Sequence, residues 1–143
     1  MSDYKVLLVD DEKDFVEVLA ERLEARGLHV DTALTGLSAI VKAEETRYDA
    51  ILLDMAMPGM DGIETLERLL ELNPDLQVIL LTGRATLSQA AAAIKLGALD
   101  LLEKPADITT LVRKIEDAAK KRWSLEDQHI EEKVADILRK KGW

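Results

Sequence analysis

Short apolar runs that stop abruptly at polar residues recur along this chain. Lys5-Val6-Leu7-Leu8-Val9 stops at Asp10-Asp11, Ala50-Ile51-Leu52-Leu53 at Asp54, and Val78-Ile79-Leu80-Leu81 at Thr82. Runs this short and this rich in Val, Ile and Leu predict strands buried on both faces. Leu28–Thr32 and Leu99–Leu102 are weaker versions of the same signal. Helical spacing fills the gaps. Phe15, Val18, Leu19 and Leu23 recur at i, i+3, i+4 and i+8, and Gly27 ends that helix. Ile40, Val41 and Ala43 belong to a second helix. Ile63, Leu66, Leu69 and Leu70 form a third, closed by Asn73-Pro74. Ala90–Leu96, ended by Gly97, is a fourth, and Ile108, Leu111, Val112 and Ile115 mark a fifth.

Strands alternating with helices imply right-handed βαβ units and a parallel sheet covered on both sides. The expected fold is therefore α/β, a doubly wound five-stranded parallel sheet with helices on both faces and a C-terminal helical extension. In such sheets ligands bind beyond the carboxyl ends of the strands. That rule gathers Asp10 and Asp11 after the first strand, Asp54 after the third, Thr82 after the fourth and Lys104 just after the fifth onto one edge.

Composition narrows the chemistry. About half of the 143 residues are hydrophobic (48%), enough for a core. There is no cysteine, so disulfides, thiolate nucleophiles and zinc–thiolate sites are excluded. Neither a signal-peptide pattern nor an apolar run of about 20 residues is present, which predicts a cytoplasmic protein without a membrane span. A net charge of −9 argues against direct nucleic-acid binding. The charge is uneven: residues 120–143 hold seven Lys/Arg against five Asp/Glu, leaving −11 on residues 1–119. No glycine-rich nucleotide fingerprint occurs.

Three carboxylates at one sheet edge repel one another, and a hard divalent cation is the usual remedy. Mg²⁺ takes one or two carboxylates and keeps coordination positions for water and phosphate oxygens. A carboxylate is also a nucleophile toward phosphorus. Lys104 supplies a point charge for phosphate and Thr82 a hydroxyl donor.

These residues also carry a family pattern. Asp10-Asp11, then Asp54 followed by Met57-Pro58 and Asp61-Gly62, then Thr82-Gly83, then Lys104-Pro105, resembles the receiver domain of bacterial two-component response regulators. The resemblance covers about residues 4–120. It implies a flavodoxin-like strand order 2-1-3-4-5, with Asp54 as the phosphoacceptor. It further implies Asp11 as a direct Mg²⁺ ligand, Asp10 as one acting through water, and the Ala56 carbonyl as the remaining protein ligand. Lys104 would contact the phosphoryl oxygens, Thr82 would move toward them, and Lys104-Pro105 would be a cis peptide. Ala56 and Arg84 stand where the family tunes phosphoryl lifetime. The donor would be a sensor histidine kinase or a small phosphodonor. One position departs from the pattern: Leu101 stands where the family usually has Tyr or Phe. The readout is then expected to use a smaller side-chain shift or backbone movement. Two other functions compete on the same residues, an unphosphorylated receiver-fold scaffold and a Mg²⁺-dependent phosphohydrolase.

The expected division is a receiver domain over residues 1–121 and a helical tail over 122–143, with no separate output domain. Trp123, Ile130 and Ile137 recur every seven residues, with Val134 between, and Ser124 is a candidate N-cap with Asp127 three residues on. The tail is expected to fold back, to extend the fifth helix, or to dock on a partner or a second copy. Downstream partners are expected on the face formed by the fourth helix, fifth strand and fifth helix, or on the tail.

Overall fold

The structure is a computed structural model and describes residues 3–57, 59–83 and 86–140. Pro58 of the motif, Arg84 and Trp143 lie outside the described residues. Ten elements alternate: β1 (Lys5–Val9), α1 (Lys13–Glu24), β2 (His29–Ala33), α2 (Gly36–Glu45), β3 (Ala50–Asp54), α3 (Gly62–Leu72), β4 (Val78–Thr82), α4 (Leu87–Leu96), β5 (Asp100–Glu103) and α5 (Ile108–Lys140). All pairings are parallel, in the order β2-β1-β3-β4-β5.

Strand periodicity divides the core in two. Leu7, Val9, Ile51, Leu53 and Leu80 face Ala39 of α2, Leu66 and Leu69 of α3, and Ala93 of α4. The alternate residues Val6, Leu8, Leu52, Ile79 and Leu81 face Val16, Leu19 and Leu23 of α1 and Leu111 and Ile115 of α5. Strands with both faces covered must be apolar throughout, which is why these runs lack the alternation of a half-buried strand. Gly97 ends α4 at φ 109°, a left-handed turn that side-chain-bearing residues resist.

Two helix faces differ from the expected ones. On α1 the buried residues are Val16, Leu19, Ala20 and Leu23, while Val18 is 57% exposed. On α2, Val41 points outward and Ala39 is buried instead. Each helix offers neighbouring apolar residues, and the sheet selects the stripe that fits its surface.

The tail also differs in detail. Ser124 caps nothing, because α5 is one unbroken helix across it and across the 121/122 boundary. No glycine or proline interrupts residues 108–140, so nothing ends the helix once it has started.

Where α5 leaves the core it is tied down. The Asp49 carboxylate is nearly buried just ahead of β3. It accepts from Arg122 Nη2 at 2.8 Å, Arg122 Nε at 3.0 Å, Trp123 Nε1 at 2.9 Å and the Lys5 N–H at 2.8 Å. Trp123 also packs edge-on against Tyr4, with ring centroids 5.5 Å apart. Removing one partner of a buried pair strands the other charge. Asp49→Ala is therefore expected to cost about 3 kcal/mol in urea unfolding. A loss under about 1 kcal/mol, the range of exposed pairs, would show that the clamp is not structural.

Candidate functional site

The five residues expected at one edge are placed there by the sheet. Asp10 follows β1 and is fully buried, Asp54 ends β3 at 4% exposure, and Thr82 ends β4, also buried. Asp11 is exposed at the rim. Oxygen atoms of Asp10, Asp11 and Asp54 all lie within 4.8 Å of one another. Lys104, one residue past β5, is held in line by its N–H donating to the Thr82 carbonyl at 2.7 Å. Its ammonium reaches Asp10 Oδ2 at 2.6 Å and Asp54 Oδ1 at 3.2 Å. The following Lys104–Pro105 bond is cis.

Each acid is partly committed. The other Asp10 oxygen accepts the Glu12 N–H at 3.0 Å, so Asp10 also shapes the turn into α1. Asp54 accepts from the Ala56 N–H, which puts Ala56 beside the acid trio. The loop carrying Ala56 is fixed by α3. Asp61 caps that helix, accepting the Glu64 N–H at 2.9 Å, and Thr65 Oγ1 donates to the Asp61 carbonyl at 2.7 Å. A Cβ on Gly62 would stand 2.4 Å from Met55 Cα and 2.5 Å from the Asp54 carbonyl oxygen. Glycine is what allows α3 to start this close to the acid-bearing strand.

Burial and then the neighbouring Asp10 charge push the Asp54 carboxyl above the usual carboxylate range, against the pull of Lys104. For Lys104, burial alone would lower its pKa, but Asp10 and Asp54 outweigh it and the value is raised. The edge thus holds concentrated negative charge with one ammonium in its midst. Hard carboxylate oxygens this close together suit a small divalent cation.

Leu101 is half-buried on β5, opposite Leu80, against the core under α2–α4. Thr86 caps α4, accepting the Gln89 N–H at 3.1 Å. Two contributors escaped the sequence reading. Phe15 lies under the Lys104 ammonium, 4.4 Å from ring centroid to nitrogen, a cation–π contact. In the sequence it reads only as an apolar position of the first helix, with nothing local to tie it to Lys104. Gly62 was noticed as part of a motif, without its steric role.

A sheet in this order, with an acid trio and a lysine at its carboxyl edge, defines a receiver-type signalling domain. The chain belongs to the response regulator receiver domain family, which matches residues 6–116. It is 35% identical over 122 residues to the transcriptional regulatory protein PrrA of Mycobacterium leprae (strain TN), covering 85% of this chain and 52% of that protein. Among solved structures, it resembles a response regulator receiver domain protein from Methanospirillum hungatei JF-1. The TM-score is 0.80 and the identity 28%, over 86% of this chain and 98% of that one. It also resembles a structure described as adenylate cyclase from Rhodopirellula baltica. There the TM-score is 0.85 and the identity 25%, over 92% of this chain and 98% of that one. The chain spans 52% of the mycobacterial regulator and 26% of another curated relative. Among the described residues no helix is long and apolar enough to cross a membrane.

A carboxyl whose pKa is raised on folding favours the folded state below the ordinary carboxylate pKa. That advantage is lost as pH rises through the raised value. Asp54→Asn is therefore expected to raise Tm by a few degrees at neutral pH without divalent cations. The gain should shrink on acidification, as the wild-type carboxyl becomes protonated. Thermal melts across pH check this, and an unchanged or lower Tm at neutral pH would contradict it.

Proposed function

We propose that Asp54 accepts a phosphoryl group and that the modified domain changes what it binds. The carrying observation is the acid trio within 4.8 Å, bridged by Lys104 from the end of β5, two strands from β3. One Asp54 oxygen attacks phosphorus, forming an acyl phosphate. The bond from phosphorus to the donor breaks, and its electron pair leaves with the donor. The donor class is a phosphohistidine on a sensor histidine kinase, or a small phosphodonor. Asp11, Asp54 and the Ala56 carbonyl would hold Mg²⁺, with Asp10 acting through water. When bound, Mg²⁺ offsets the charge on the transferred group.

The chain's own residues do the remainder. Asp10 keeps Lys104 in place while Asp54 becomes the acyl phosphate. The ammonium that now touches Asp54 is at hand for the phosphoryl oxygens as a point charge. Thr82, ending the adjacent strand, supplies a hydroxyl to the same group. A shift there passes to β5, because the Thr82 carbonyl is bonded to the Lys104 N–H. Leu101 follows with less side-chain movement than an aromatic ring would make. The surface that changes is then the α4–β5–α5 face. Arg84 and Ala56 would set how readily water reaches the acyl phosphate. The relatives' names include transcriptional regulation; the expectation of no direct nucleic-acid contact for this chain rests on its acidity alone.

Intact mass after incubation with Mg²⁺ and a small acyl phosphate tests the reading. Wild type should gain one phosphoryl group and Asp54→Ala none. Lys104→Met should bind Mg²⁺ several-fold more tightly, because an ammonium leaves the acid cluster, yet be phosphorylated more slowly. No adduct from either a small donor or a sensor kinase, with hydrolysis too slow to hide one, would leave the scaffold reading. Given a phosphorylation-dependent partner, Thr82→Ala should disturb its binding more than Leu101→Ala. An equal or larger effect at Leu101 would show that the leucine carries the signal.

A further inference from the structure

The Lys104 ammonium has a third partner besides the two buried acids. It lies 2.6 Å from Asp10 Oδ2, 3.2 Å from Asp54 Oδ1 and 4.4 Å from the centroid of the Phe15 ring. Its side chain is 16% exposed. A cation over an aromatic face within about 6 Å is attracted by the ring's quadrupole, more strongly where water is kept out. The ammonium is therefore held by two charges and by one uncharged surface.

The acid that places the ammonium also places the ring. Asp10 Oδ2 accepts from Lys104, while Asp10 Oδ1 accepts the Glu12 N–H and so shapes the turn into α1. Phe15 stands in the first turn of that helix, which is fixed to the sheet by buried Val16 and Leu19. Phe15 and Lys104 together line a cleft of about 170 Å³, with Leu81, Pro105 and Leu111. A smaller side chain at position 15 would open the ammonium toward that cleft. Packing alone explains an apolar residue here, but gives no reason for an aromatic face to lie under the charge.

We propose that Phe15 is a positioning residue for Lys104, keeping the ammonium at the acid trio when Asp54 is taken up by a divalent cation or a phosphoryl group. The phosphoryl half of this role rests on the reading of Asp54 as the acceptor. Such chemistry competes for the carboxylate contacts, because an Asp54 oxygen that binds a cation or carries phosphorus no longer serves the ammonium as it does now. The ring offers a hard cation no oxygen, so its hold on the ammonium persists. With Phe15 the ammonium keeps Asp10 and the ring. Without it, Asp10 alone remains.

Calorimetric titration of the full chain with Mg²⁺ tests the role without phosphorylation. Phe15→Leu and Phe15→Met fill the position without a ring face, and Phe15→Tyr keeps one. Leu and Met should each bind Mg²⁺ about threefold or more weakly than wild type, because an ammonium without the ring gives up Asp54 less readily. That is opposite in sign to Lys104→Met. Tyr should match wild type. In the Lys104→Met background Phe15→Leu should change nothing, since its effect passes through the ammonium. At saturating Mg²⁺, phosphorylation by a small acyl phosphate should be several-fold slower in Leu and Met and unchanged in Tyr. Circular dichroism selects the variants that are folded. Wild-type Mg²⁺ affinity in the folded Leu or Met variant, an equal loss in the Lys104→Met background, or Tyr behaving as Leu does would each overturn the proposal, as would a wild type that binds no Mg²⁺. Mg²⁺ affinities in the expected order, with no phosphoryl group gained by wild type, would sink the acceptor reading and the phosphoryl half with it, and would uphold the role toward the metal.

Discussion

Carboxylates crowded at one sheet edge are the constraint around which this molecule is arranged. Two of them, Asp10 and Asp54, are buried, and the hydrophobic effect that fills the sheet with Val, Ile and Leu also denies them water. The Lys104 ammonium between them, supported beneath by the Phe15 ring, makes the arrangement tolerable without making it comfortable. The elevated Asp54 pKa is the residue of that discomfort. A site that repels its own charge is one that a cation or a proton can each relieve. The same crowding that costs folding free energy therefore gives the domain something to respond with.

The rest of the fold can be read as support for that edge. The parallel register of β1, β3 and β4 places their ends close together, so residues 10, 54 and 82 meet despite their distance in sequence. Gly62 lets α3 begin close behind Asp54, and Asp61 caps it there. Thr82 and Lys104 are joined through the backbone, which ties the fourth strand end to the fifth. Leu101 lies opposite Leu80 and packs against the core beneath α2–α4.

Much of this was legible in the sequence because it is periodic or topological. Apolar runs ending in Asp or Thr mark a two-sided parallel strand and its site end together. Position on the edge then follows from the general rule for such sheets. What was not legible is what depends on choice among near-equals or on distant partners. On α1, Val16 and Val18 are equally apolar, and only packing against the sheet makes Val16 the buried one. On α2 the same holds for Ala39 and Val41. Ser124 reads as a cap because Ser usually is one, yet an uninterrupted run of helix formers absorbs it. Nothing local joins Asp49 to Arg122 or Phe15 to Lys104, since those contacts exist only once the sheet has brought their elements together.

β3 carries a buried carboxylate at each end, Asp54 toward the acid-trio edge and Asp49, just ahead of it, toward the outgoing helix. The anchor of that helix is thus written partly outside the helix, in Asp49, Arg47 and Asp75, as well as in Arg122, Trp123, Glu126 and His129 within it. The tail is consequently not a portable module. Transplanted by itself onto a related receiver, residues 120–140 would bring half of each contact and leave the other half behind, and the helix would emerge at an angle its new host had not specified.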